Sequence, residues 1–141
     1  MTTVTGTNTR STIWNNFKAF LGATTFTDTP TIRAAYNDKS PSFPMILLHA
    51  ANVPKDKICL NGTAEERKDC SIMVEVHAND SLKLDRIIDE FDAKLVASAS
   101  VLENDGIQFK ANKYWDESIA DTYMINNQKI HMKVVTINFE I

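Results

Sequence analysis

Three histidines, His49, His77 and His131, are the residues in this sequence best suited to metal or proton chemistry. Neutral imidazoles on neighbouring strands can bind zinc, and imidazole exchanges protons near neutral pH. The three are far apart along the chain and form none of the short-spaced ligand clusters seen in structural zinc sites, so no metal and no cofactor is expected. Two groups of carboxylates could do acid/base work or hold a divalent cation: Asp116 with Glu117, and Asp89 with Glu90 and Asp92. Neighbours on a strand point to opposite faces, which separates Asp116 from Glu117. The other trio falls on a helical pattern and reads as its solvated face. Tyr114, Trp115 and Tyr123 could stack nucleobases, but Asp116, Glu117 and Asp121 lie among them where a stacking platform carries basic residues. Packing in the core or against another subunit is the better reading. Cys59 and Cys70 form no CxxC pair, and Cys70, at the mouth of an apolar strand, reads as a small buried hydrophobe. Asn61-Gly62 reads as a turn. No glycine-rich phosphate loop, Walker lysine, GxSxG or HExxH motif occurs, so no catalytic residue and no enzymatic activity are expected.

Composition narrows the function further. Fifteen Lys and Arg against 18 Asp and Glu leave a formal charge of −3. A protein that grips nucleic acid through its phosphates concentrates basic residues instead. At 141 residues and 43% hydrophobic, the chain has the size and apolar content of one globular domain. Its longest strongly apolar stretch, Phe43 to Leu48, is far shorter than the roughly 20 residues that span a bilayer. The first ten residues lack the charged start and apolar core of a secretory signal. A cytosolic chain with reduced thiols and no membrane contact is expected.

Any site must be positioned by the elements that periodicity predicts. Residues 1–9 are small and polar and read as a mobile arm. Ile13, Trp14, Phe17, Phe20 and Leu21 share one stripe of a short helix, capped at Thr9 or Ser11 and ended at Gly22. Ile32, Ala34 and Tyr36 alternate as a strand, and 37–42 reads as a projecting loop. Phe43 to His49 is almost continuously apolar, the pattern of a strand covered on both faces, with Pro44 near its start. Residues 50–70 form a long polar loop, the strongest candidate for contacts. Ile72, Val74, Val76 and Ala78 define a further strand.

Leu84, Ile87, Ile88, Phe91, Leu95, Ala99 and Leu102 step by three or four residues along a long helix. Asn79 or Asp80 caps it, and Asn104-Asp105-Gly106 ends it. Ile107 and Phe109 open a strand-rich last third. There Trp115, Ile119 and Tyr123 share one parity, and Asn126-Asn127 makes a hairpin turn. Ile130, Met132 and Val134 have one parity and Val135, Ile137, Phe139 and Ile141 the other. Such a flip predicts a β-bulge at Val134–Val135, or a strand passing from one covering layer to another. The expected fold class is α+β: an antiparallel or mixed sheet of four to six strands with both helices on one face, in a single domain.

In this layout the chain resembles the tail terminator, or tail completion, proteins of tailed bacteriophages and related head-to-tail joining proteins. The resemblance covers most of the chain in order. It rests on the early aromatic helix (Ile13, Trp14, Phe17, Phe20), SFPMILLHA at 42–50, SIMVEVHANDSLKLDRIIDEFDAKL at 71–95 and IHMKVVTINFEI at 130–141. It implies a virion protein of the tail neck, assembled in the host cytoplasm. Such a protein forms a homo-hexameric ring, caps the tail tube, stops its polymerisation and offers the surface where the head docks. The implied partners are other copies of the chain, the tail tube protein and head–tail connector proteins, with DNA passing through the lumen unbound. The polar loop and the aromatics supply the candidate subunit or tube contacts: Phe43, Lys55, Lys57, Arg67, Trp115 and Tyr123. The alternatives are a connector or stopper ring nearer the portal, and a small metal-dependent enzyme using His49, His77 and His131.

Overall fold

A computed structural model describes residues 9–34, 42–53, 69–104, 106–109, 113–118 and 121–141. The expected arm before Thr9, most of the projecting loop at 37–42, and Cys59, the Asn61-Gly62 turn, Lys55, Lys57 and Arg67 in the polar loop lie outside them. The fold is α+β, in the order α1 (Thr9–Ala23), β1 (Thr31–Arg33), β2 (Met45–Leu48), β3 (Asp69–Ala78), α2 (Ser81–Glu103), β4 (Gln108–Phe109), β5 (Trp115–Glu117), β6 (Asp121–Ile125) and β7 (Gln128–Glu140).

Helix α1 buries Ile13, Phe17, Phe20 and Leu21 as their spacing requires, together with Thr12 and Asn16. Trp14 sits at the rim of that stripe, where its indole N–H donates to the Leu48 carbonyl at 3.0 Å. Helix α2 begins at Asp80, whose extended backbone and side chain accepting from the Leu82 N–H at 2.9 Å satisfy a donor that the helix itself leaves orphaned. Asp80→Ala is expected to lower stability by about 1 kcal/mol, measured as a drop in the urea midpoint at unchanged slope. An unchanged midpoint would show that this cap contributes nothing. The helix buries Leu84, Ile87, Ile88, Phe91, Leu95 and Leu102, bends at Ser98 (φ −129, ψ 24), and ends where Gly106 takes φ 96. That left-handed turn suits glycine because it has no Cβ to clash.

Among the described residues the sheet holds seven strands, close to the expected four to six, the difference arising because one of its margins is broken into three short pieces. Its order is β1-β2-β3-β7, and β4, β5 and β6 lie in succession along the outer side of β7. Among the described strands, only β1 and β2 pair in parallel. β3 and β7 pair continuously from Asp69↔Glu140 to Ala78↔His131. The expected bulge is therefore absent, since a bulge would shift that register by one residue. The alternative accounts for the parity flip: β7 buries Ile130 on one face of the sheet and Val135, Ile137 and Phe139 on the other.

Both helices cover the second of these faces. Ile46, Leu48, Ile72, Val74, Val76, Val135, Ile137 and Phe139 join the helical stripes in one core cluster. The ring of Phe17 packs on Phe139 and Phe109 at centroid distances of 5.5 and 6.4 Å, and Phe91 packs on Phe20 and Trp115 at 6.4 and 5.7 Å. Cys70 is buried in the same cluster, the small hydrophobe its context predicts. All four residues of β2 are buried, as expected of a strand covered on both faces. Met45 and Leu47 fill the face away from the helices.

Candidate functional site

The residues with chemical potential separate by face. His77 pairs with Met132 across β3 and β7, and Glu75 pairs with Val134, so both point away from the helices. His49, just beyond β2, reaches the same carboxylate from the neighbouring strand, with its Nε2 against Glu75 Oε2. His77 Nε2 lies 3.4 Å from Glu75 Oε1, and His77 Nδ1 is 2.8 Å from the Tyr123 hydroxyl on β6. Of the three histidines, the fold assembles two with Glu75 and Tyr123 into one polar chain. His131 pairs with Ala78 and faces the helix side, so the three imidazoles do not converge. Among the described residues, no group of three His, Cys, Asp or Glu side chains is arranged to hold a metal ion.

Burial pulls the His77 imidazole below its ordinary range, against the opposing pull of the Glu75 carboxylate. The contact at Nδ1 fits either direction of hydrogen bonding, since the Tyr123 hydroxyl can donate to a neutral ring nitrogen or accept from its N–H.

The acidic groups fasten elements together. Glu90 accepts the Thr27 N–H at 3.0 Å, Arg86 pairs with Asp28 at 3.0 Å, and Asp92 accepts the Tyr114 hydroxyl at 2.8 Å. That last bond, with burial adding to it, raises the phenol above its usual value. Lys133 lies between Asp85 and Glu117 at 3.6 and 3.5 Å. Glu90 and Asp92 are thus more than a solvated face, a role that depends on residues distant in sequence.

The expected contact residues scatter. Phe43 is half-buried just before β2. Trp115 and Tyr123 do not share a face: Trp115 pairs with Ile137 and packs on Phe91, whereas Tyr123 pairs with Ile130 on the opposite side. They belong to separate strands, and the parity drawn through Ile119 crosses residues outside the described set. For Trp115, core packing is what the fold provides.

Margins and exposed apolar groups are the remaining surface features. Asn126 and Asn127, at φ 49 and 61, form the expected two-residue hairpin turn, so Ile125 and Gln128 make its first bonded pair. By alternation, the main-chain groups of Thr122 and Met124 face away from β7. Asp121 Oδ1 accepts the Thr122 N–H at 2.8 Å, which guards that margin at one residue, while Met124 beside it is 65% exposed. At the other margin Thr31 donates to the Pro44 carbonyl, so Ile32 is the β1 residue whose main chain faces outward. On α2, Ala93, Val96, Ala97, Ser100 and Val101 form a second, exposed stripe free of charge. A hollow lined by Asp69, Cys70, Ser71, Lys113 and Asn138 contains none of the expected site residues.

The fold places the chain in the α+β class, with a mixed sheet backed on one face by two helices. Compared with known proteins, the chain matches no family model and no curated protein. Among the described residues, no helix is long and apolar enough to cross a membrane.

Proposed function

We propose that this chain is a structural assembly subunit of the tail-terminator type. Six copies close into a ring that caps a bacteriophage tail tube, stops its polymerisation and presents the surface where head–tail connector proteins dock. The observation that carries this reading is the pair of unlike sheet margins. Among the described strands, β1 ends the sheet on one side, and the β4, β5 and β6 segments end it on the other. An open edge with outward main-chain groups invites another strand. Joining two different edges of identical copies is a heterologous contact, which closes into a ring when the rotation permits. The exposed stripe on α2, with Val96 at 67% and Val101 at 45% exposure, offers apolar surface for a neighbouring copy. A net charge of −3 suits a lumen that lets DNA pass without holding it.

Size-exclusion chromatography with light scattering tests this reading. Six times the 15.8 kDa chain mass is expected, either for the protein alone or once tail tubes are present. A monomer in both conditions would overturn it.

A further inference from the structure

We propose that copies of this chain join by an antiparallel strand pair between β1 of one and β6 of the next, in the register that sets Ile32 opposite Thr122 and Arg33 opposite Asp121. The pairing deepens the ring reading above and rests on it. Strand direction decides its first part. β2 runs parallel to β1, β3 opposes β2, β7 opposes β3 and β6 opposes β7, so β6 runs against β1. A second copy added in the same sense therefore brings its β1 antiparallel to the first copy's β6. Neither of these margins is covered by another described strand.

Outward main-chain groups then limit the register. Ile32 is the outward residue of β1, and Thr122 and Met124 are those of β6, so the bonded pair is Ile32 with one of these two. Paired residues lie on one face, and all three belong to the helix side. Ile32 packs against the core, while Thr122 and Met124 pair with His131 and Lys129. Both faces of the sheet thus continue from copy to copy.

Charge chooses between the two registers. Arg33 shares the open-face row of Leu47 and Glu75, and its Nε is enclosed with no acceptor among the described residues. A donor left in that state is costly. Asp121 pairs with Met132, in the open-face row of His77, and is exposed. With Ile32 opposite Thr122, Arg33 and Asp121 become a non-hydrogen-bonded pair, the kind whose side chains lie closest. Opposite charges favour that register, whereas Ile32 opposite Met124 would set Arg33 against Tyr123. Asp116, exposed on the same face of β5, adds to the negative field of this margin. One bond is exchanged for another in the join. Asp121 Oδ1 holds the Thr122 N–H at 2.8 Å in the single chain; the Ile32 carbonyl takes over that donor and releases the carboxylate to the guanidinium. Such a pair fixes partner and register more than it adds affinity.

Charge reversal tests the pairing by light scattering, in whichever condition the wild type forms rings. Arg33→Asp and Asp121→Arg each set like charges against each other and should weaken assembly by about tenfold or more. An equal mixture of the two variants should form rings again, because each copy then meets the opposite charge on both margins. Asp121 is exposed, so its variant keeps the fold and is decisive alone. Wild-type assembly by Asp121→Arg, or a mixture of folded variants that stays dispersed, would overturn the pairing and leave the ring standing. An Asp121→Arg ring that no longer seats on tail tubes would assign this margin to the tube protein, and likewise overturn it. A wild-type chain that stays monomeric with and without tubes would remove both the pairing and the ring.

Discussion

Phe17→Ala should destabilise the chain by about 3–5 kcal/mol, the largest effect expected of any single core substitution here. Phe17 has no exposed surface, and its ring lies between Phe139 of β7 and Phe109 of β4. Truncation removes apolar area and leaves a cavity bounded by a helix on one side and two strands on the other. Such walls collapse poorly, so most of the void persists. Domains of ordinary stability hold only about 5–15 kcal/mol in reserve, so a loss of this size takes up much or all of it. Phe17→Leu, which keeps most of the volume, should cost under about 1.5 kcal/mol and permits a urea comparison. A loss below about 1 kcal/mol for Phe17→Ala would mean that α1 does not seal this side of the sheet.

Met124→Pro should abolish ring assembly while leaving the chain folded. At this position the main-chain N–H faces away from β7, so proline removes a donor that an adjoining strand would use and spares the β6–β7 ladder. Proline on an outer strand is also the device by which sheets refuse partners. The expected readout is a shift from ring to monomer in light scattering, with an unfolding midpoint close to that of the wild type. An intact ring would show that copies do not join through β6. A chain that fails to fold would instead place the Met124 N–H inside the ladder, contradicting the hairpin register derived from Asn126-Asn127.

The helices and central strands were legible in the sequence because local periodicity determines which face is buried. The stripe from Leu84 to Leu102 became the buried face of α2 almost residue for residue, with Ala99 half-buried at its edge. The unbroken apolar run at 45–48 became a strand covered on both sides. The flip at Val134–Val135 was visible too, but a bulge and a change of covering layer leave the same trace in sequence. Only the continuous pairing with β3 separates them.

Features that depend on distant partners were hidden. Glu75 alternates with the apolar residues of β3, and nothing local in the sequence ties it to His49 or His77. Trp115 and Tyr123 shared a parity only on the assumption of one continuous strand, whereas two short strands place them on opposite faces. The parity rule that pairs Trp115 with Glu117 held, and the indole N–H donates to that carboxylate at 2.9 Å. A signal for the polar chain did exist in the even spacing of Glu75 and His77 on one strand face. It needed the register of β2 and β6 to become a site.

Negative-stain electron microscopy of the purified protein, alone and mixed with tail tubes, tests the central proposal most directly. Class averages should show closed rings with six-fold symmetry, free in solution or seated at one end of each tube. Particles of single-chain size without rotational symmetry, together with tubes whose ends stay bare, would contradict it.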